Sequence, residues 1–378
     1  MDGTTAERIP VDPDGLMEFS VVFTDRSLNS MSKSFQGVMR DISSMLKEVY
    51  GADHVAVVPG GGTYGMEAVA RQLGTGAHAL VVRNGWFSYR WTQIFEAGQF
   101  TAKTTVVKAR QTGNDSRAPF SPPPIEDVVA AIREAKPDVV FAPHVETSAG
   151  IMLPDSYVMA MAEAAHEVGA LMVLDCIASG CIWVDMKATG VDVLISAPQK
   201  GWSSTPSAGL VMLSDRARDR VEATASNSFA MDLKKWLGIM KTYEGGAHAY
   251  HATMPTDGLR AFRDTMLETR DYGFDRLKAA QAELGAQVRA LLASKGVKSV
   301  AGPGFEAPSV VVSYTDDPDI QNGKKFMAEG MQVAAGVPLQ VDEPADFKTF
   351  RIGLFGLDKL YDVPGTVARF KAVLDRVM

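Results

Sequence analysis

Seven short apolar runs, separated by helical patterns, fill most of the first 215 residues. They lie at 54–58, 79–83, 104–108, 138–142, 171–174, 193–196 and 209–213. Between several of them, residues 66–73, 124–135 and 157–168 place apolar side chains three and four apart, the spacing of amphipathic helices. Alternating β and α elements predict an α/β fold, a mostly parallel sheet covered by helices on both faces. In such sheets ligands bind at the carboxyl ends of the strands.

The pattern changes after Pro255. Residues 256–295 read as a long helix with a break near Tyr272-Gly273. Short strands are expected at 297–301, 309–314 and 349–352, and helices at 327–334 and 364–377. The segment 110–124, rich in Gly, Ser and Pro, reads as a loop. This organisation predicts an N-terminal arm (1–20), a large domain (21–260) and a smaller C-terminal α/β domain (261–378). A chain of 378 residues can bury such cores without covalent staples.

Composition narrows the function classes. The net charge is −7 and the basic residues are scattered, which argues against a nucleic-acid-binding protein. The two cysteines, Cys176 and Cys181, sit in one segment, and no Cys/His metal pattern occurs. They read as small buried apolar residues in a protein of a reducing compartment. The polar start of the chain lacks a signal-peptide core, so a cytoplasmic location is expected. Residues 168–184 form a 17-residue stretch with one charge, Asp175. A carboxylate mid-membrane costs about 3 kcal/mol; a strand buried on both faces explains the run better than a membrane span.

Three constellations carry chemistry. Val58-Pro59-Gly60-Gly61-Gly62-Thr63-Tyr64-Gly65 follows a strand and opens a helix, as a phosphate cradle does. Its Gly60, Gly62 and Gly65 also satisfy the dinucleotide fingerprint, although the acid expected at the end of the next strand is replaced by Arg83-Asn84-Gly85. A plain Gly-rich turn remains the simplest alternative. Asp175, just past a buried strand, could hold a protonated ring nitrogen, a metal or a ribose hydroxyl, or cap a turn. Ser196-Ala197-Pro198-Gln199-Lys200 puts a lysine beside the buried sheet, where it can lose its proton and act as a nucleophile. Taken alone it is an ordinary loop lysine. Together, a buried acid, a buried lysine and an upstream phosphate turn match the needs of pyridoxal 5'-phosphate.

On these residues the chain resembles the class V, fold type I pyridoxal-phosphate aminotransferases, nearest the alanine–glyoxylate and serine–pyruvate group. The resemblance spans roughly residues 35–365 and rests on ordered motifs. It implies that Lys200 is the Schiff-base lysine and Asp175, in Asp175-Cys176-Ile177-Ala178-Ser179, the pyridinium partner. His144-Val145-Glu146-Thr147-Ser148-Ala149-Gly150 matches a loop in which Ser148 reaches the cofactor's ring hydroxyl; His144 either joins that contact or satisfies the loop. Gly61, Gly62 and Thr63 align with the phosphate loop, and Gln199 is implied as a further cofactor contact. Asn84-Gly85-Trp86-Phe87 supplies Phe87, the aromatic that stacks on the cofactor ring; Trp86 and Trp91 read as packing. Arg351, in Arg351-Ile352-Gly353-Leu354-Phe355-Gly356, is the implied carboxylate grip. Tyr250 and Thr253, in Tyr250-His251-Ala252-Thr253, are implied to reach the phosphate in a partner subunit, hence a homodimer with sites at its interface.

Departures accompany the matches. The family commonly has serine where Gly61 stands and histidine where Thr63 stands, so two side-chain contacts to the cofactor are altered. The N-terminal segment also departs from the family's usual opening, and Arg26 there is a candidate second anion handle or a surface arginine. The activity implied is ping-pong transamination between a small amino acid, such as alanine or serine, and glyoxylate or pyruvate. Alternatives are an aminophosphonate transaminase, a lyase or desulfurase of the same fold, an NAD(P)-dependent dehydrogenase based on the glycine fingerprint, and a binding protein on an inactive scaffold.

Overall fold

The computed structural model describes residues 20–21 and 27–378. Most of the expected N-terminal arm and Arg26 lie outside the described residues. The large sheet has seven strands: β1 (His54–Pro59), β2 (His78–Arg83), β3 (Lys103–Lys108), β4 (Val139–Pro143), β5 (Leu171–Asp175), β6 (Val193–Ser196) and β7 (Ala208–Leu213). Their spatial order is β1-β7-β6-β5-β4-β2-β3. Only β7 runs antiparallel to its neighbours β1 and β6, while the pairs β6–β5, β5–β4, β4–β2 and β2–β3 are parallel. The carboxyl ends of β1, β2, β4, β5 and β6 therefore share one edge, and each continues into a segment with a chemical motif.

Helices cover both faces: α1 (Lys33–Tyr50), α2 (Gly62–Leu73), α3 (Trp86–Gly98), α4 (Ile125–Ala135), α5 (Asp155–Glu167) and α6 (Leu233–Glu244). The sequence reading did not foresee α1, α3 or α6. Yet α1 carries its own punctuation: the Ser32 hydroxyl accepts from the Phe35 N–H, and Gly51 ends the helix in the left-handed region at φ 64°. Its apolar stripe, Phe35, Val38, Met39, Ile42 and Leu46, is buried in the large core. On the opposite side of β1, α2 lies unusually close to the sheet. A side chain at Gly209 of β7 would meet the Gly65 backbone at 2.5–2.6 Å, so Gly209 must be glycine for the helix to seat, and a Cβ at Gly65 would crowd the Gly209 Cα at 3.2 Å. The third glycine of the fingerprint thus serves helix–sheet packing.

The helical hairpin falls where expected, as α7 (Thr256–Tyr272) and α8 (Phe274–Ser294) flanking Gly273 at φ 107°. Leu259, Phe262 and Met266 of α7 belong to the large core, whereas Leu277, Leu284 and Val288 of α8 belong to a second one. The packing changes over at Gly273, and the expected boundary at residue 260 falls inside α7. The smaller sheet orders β8 (Val310–Tyr314), β10 (Thr349–Gly353) and β9 (Ala334–Ala335) antiparallel around β10. The C-terminal helix α9 (Val363–Val377) supplies Phe370, Val373 and Leu374 to the second core.

Three local expectations are corrected. No helix spans 327–334: a short helix ends at Ala328, Gly330 turns left-handed at φ 77°, and Ala334 pairs with Arg351 as a strand. Residues 297–301 form isolated bridges from Ser299 to Ser313 and Ala301 to Phe120 in place of a strand. The loop at 110–124 contains a small antiparallel pair, Arg110–Gln111 with Phe120–Ser121. The apolar stretch 168–184 resolves into buried β5 and the turns after it, and among the described residues no helix is long and apolar enough to cross a membrane.

Candidate active site

The shared strand edge opens into a cleft of about 420 Å³, within the usual range for small-molecule sites. It is lined by Gly62 and Thr63 from the start of α2, Phe87 and Arg90 from α3, and Asp175, Gln199 and Lys200 from the ends of β5 and β6. The small domain closes it with Val310, Ala334, Arg351, Gly353 and Phe355. Residues separated by more than 250 positions meet here because β10 carries Arg351 to the edge of the large sheet.

Asp175 is buried at the end of β5, where its Oδ1 accepts from the Ile177 N–H at 2.9 Å. Burial pushes its carboxyl up to about 7, with Glu146 adding a smaller upward push; the Ile177 N–H and the distant Arg90 charge oppose it. Among the described residues Asp175 forms no ion pair, so its buried carboxyl is available to a cationic group in the cleft. Lys200 holds its Nζ 5.1 Å from the Phe355 ring centroid. Burial, reinforced by the Arg351 charge, moves its ammonium below the ordinary lysine range. A lysine so placed is more easily freed of its proton to act as nucleophile or base. Arg351 stands with its guanidinium 5.6 Å from the Phe87 ring centroid, while its Nε donates to the Ala335 carbonyl at 2.8 Å. Both terminal nitrogens remain to form a fork for a carboxylate.

Glu146 organises the wall opposite. It is fully buried and accepts five hydrogen bonds: from the N–H groups of Phe87 (3.1 Å), Ser88 (2.9 Å) and Ser148 (3.1 Å), and from the hydroxyls of Ser88 (2.6 Å) and Ser148 (2.7 Å). A carboxylate at the start of α3 satisfies helix N–H groups that lack intrahelical partners and meets the positive end of the helix dipole. Gly85 permits the approach, since a Cβ there would meet the Ser148 Oγ at 2.1 Å. Replacing Glu146 by glutamine puts an NH2 group where only acceptors fit. The Glu146→Gln protein is expected to lose about 2–4 kcal/mol, measured as a lower denaturant midpoint.

The predicted site residues divide accordingly. The cleft brings together Lys200, Asp175, Gly62, Thr63, Phe87, Gln199 and Arg351. Gly61 caps α2 just behind it. Ser148 does not face the cleft: its hydroxyl donates to Glu146 and accepts from the Trp86 N–H at 2.9 Å, and the neighbouring Thr147 lines the cleft instead. His144 is fully buried, bonded to Ser179 Oγ at 2.7 Å, and pushed down to about 4 by burial, so it is a neutral structural ring. Tyr250 and Thr253 lie outside this chain's cleft, 3.4 Å from one another on an exposed segment. Trp91 packs against Phe141, with centroids 4.5 Å apart. Arg83, which stands where the dinucleotide fingerprint expects an acid, is committed to Thr92, the Gln340 carbonyl and the Tyr89 ring. The sequence reading missed Arg90, Thr147, Glu146 and Phe355. Arg90 was legible in principle, because on a helix it shares a face with Phe87 three residues earlier.

The family model for aminotransferase class-V matches residues 17–338. The chain belongs to the class V aminotransferases. It is 25% identical over 342 residues to alanine–glyoxylate aminotransferase of Felis catus, covering 87% of this chain and 77% of that one. It is 27% identical over 334 residues to 2-aminoethylphosphonate–pyruvate transaminase 2 of Burkholderia lata, covering 86% of this chain and 82% of the relative. Among solved structures, an alanine–glyoxylate aminotransferase from Nostoc sp. superposes with a TM-score of 0.76 at 21% identity, covering 92% of this chain and 88% of that one. The aminotransferase has the fold type I architecture and uses pyridoxal 5'-phosphate. The dehydrogenase alternative falls with this assignment.

The cleft fits that cofactor on its own terms. Asp175 is a buried acid without a cationic partner, and the Gln199 Oε1 is sealed from water without a hydrogen-bond partner. Buried polar groups rarely stay unpaired, so both suit a polar ligand in the cleft. The start of α2 has no side-chain cap, leaving its first N–H groups for an anion. Cys176 and Cys181 are buried with thiols pushed up, Cys181 to about 12, which does not suit a desulfurase nucleophile.

Proposed function

We propose that this aminotransferase moves an amino group between a small amino acid, such as alanine or serine, and a 2-oxo acid, such as glyoxylate or pyruvate, by a ping-pong route. What supports a substrate with an α-carboxylate is Arg351, which lines the cleft and whose two terminal nitrogens are unspent among the described residues. Ala334 pairs with Arg351 across the small sheet, and Gly353 follows two residues along the same strand, both lining the cleft. Val310, opposite Gly353, and Phe355 bound the remaining space.

Pyridoxal phosphate, when bound, supplies an electron sink for the carbanion formed at the substrate's α-carbon. Lys200 would hold the cofactor through its Nζ, and the same Nζ would carry the proton to and from the substrate. Asp175 gives a protonated ring nitrogen its counter-charge. Phe87 offers a ring face, Gly61, Gly62 and Thr63 offer the start of α2 to the phosphate, and Gln199 offers its unpartnered Oε1. Arg351 grips the α-carboxylate of donor and acceptor alike. Tyr250, which is 64% exposed, and Thr253 serve a partner subunit's site in a homodimer. A sedimentation measurement giving a monomer at working concentration would exclude that shared site.

The deciding experiment mixes the loaded enzyme with a panel of single amino acids and follows conversion of the visible cofactor band to the pyridoxamine form. Alanine and serine are expected to convert it; rapid conversion by 2-aminoethylphosphonate alone would transfer the reading to an aminophosphonate transaminase. The Arg351→Ala variant should raise the KM for alanine about a hundredfold, the worth of two charge-assisted hydrogen bonds. Its visible cofactor band should still form. An unchanged KM would remove Arg351 from the substrate site.

A further inference from the structure

We propose that Arg90 is the side-chain cation that holds the cofactor's phosphate, at a helix start where Gly61 and Gly62 offer no side-chain donor. The inference rests on the cofactor assignment above and adds a residue to it. Three side-chain cations line the cleft: Lys200, Arg351 and Arg90. Lys200 is committed to the cofactor's carbonyl carbon and Arg351 to the substrate carboxylate, which leaves Arg90 for the phosphate charge of about −1.5 to −2.

Arg90 sits at the phosphate end of the cleft. Its Nη1 donates to the Thr63 Oγ1 at 3.0 Å, on the first turn of α2. That turn begins at Gly61 and Gly62, which carry no side-chain donors. Among the described residues Arg90 forms no ion pair, and its guanidinium instead lies 5.1 Å from the Phe87 ring centroid. Glu146 fixes the first turn of α3 through the Phe87 and Ser88 N–H groups. Phe87 and Arg90 are three residues apart, so that clamp holds ring and cation on one helix face. Arginine suits the task because its planar fork matches phosphate oxygens two at a time and stays charged.

The test compares pyridoxal 5'-phosphate with pyridoxal, its phosphate-free counterpart, by titration of the visible band in cofactor-stripped wild-type, Arg90→Gln and Arg90→Lys proteins. Arg90→Gln is expected to weaken pyridoxal-phosphate binding ten- to a hundredfold and to leave pyridoxal binding unchanged. Arg90→Lys, which keeps the charge but loses the fork, should fall between. The melting temperature of each stripped variant checks folding. Three results overturn the proposal. Equal weakening of both ligands would make Arg90 a support for Phe87. Unchanged cofactor affinity, with KM raised for aspartate or 2-aminoethylphosphonate but not alanine, would assign it to a second substrate anion. Unchanged cofactor affinity with unchanged KM values would leave it no role at the site. A wild-type protein that forms no visible band with either ligand would instead overturn the cofactor assignment itself.

Discussion

The Asp175→Asn protein is expected to be more stable than wild type when free of cofactor at pH 8, and far less active when loaded. The physical basis is a buried acid whose carboxyl is pushed from 3.8 up to about 7 by loss of hydration. Below pH 3.8 the carboxyl is neutral in both folded and unfolded chains, and burial of the charge costs nothing. Between pH 3.8 and 7 the unfolded chain has released the proton while the folded one retains it, so stability falls as pH rises. Above 7 the cost is complete, on the order of 4 kcal/mol. Asparagine keeps the acceptor for the Ile177 N–H and removes the charge. Melting temperatures of the stripped proteins at pH 5 and pH 8 should therefore diverge for wild type and converge for the variant. Turnover should drop about a hundred- to a thousandfold, the usual effect of deleting one preorganised electrostatic partner. A variant that matches wild type in both the pH slope and the rate would show that Asp175 has no charged partner to serve.

The Lys200→Ala protein is expected to lose both the visible band of bound cofactor and at least about four orders of magnitude in rate. General acid–base contributions alone reach about ten-thousandfold, and Lys200 is also the residue proposed to hold the resting cofactor. Among the described residues no second lysine lines the cleft, so no neighbour takes over. A small primary amine added to the buffer can occupy the vacated space and accept a proton, and should restore part of the rate. A wild-type rate and band in the alanine variant would disprove the assignment of Lys200.

The large domain was legible because its signals are local. Buried parallel strands read as continuous apolar runs, and six of the seven observed strands differ from the expected ones by a residue or two at an end, while β6 matches. The break at Gly273 was legible because a glycine interrupts a helical pattern. The short helix and turn after Lys324 were not, because Gly330 ends the periodicity and the pairing of Ala334 with Arg351 is a tertiary contact. Helix α3 was hidden for a related reason. Its run of Trp86, Phe87, Tyr89 and Trp91 faces both the core and the cleft, so no single polar face marks it as a helix.

Sequence by itself determined the α/β class, the family and the cofactor, through residue types fixed in order along the chain: a Gly-rich turn, a buried acid, a loop lysine and an arginine in an apolar strand. Tertiary structure decided which of the motif residues face the cleft. Ser148 and Thr147 are adjacent in sequence, yet one hydroxyl is consumed by buried Glu146 while the other residue lines the site. Arg90 had no motif of its own, yet the meeting of α2 and α3 at the sheet edge sets it against Thr63. The reason is the same in both cases. Residue identity fixes what a group can do, but only the packing of distant segments settles whether its hydrogen-bonding capacity is spent inside the protein or left for a ligand.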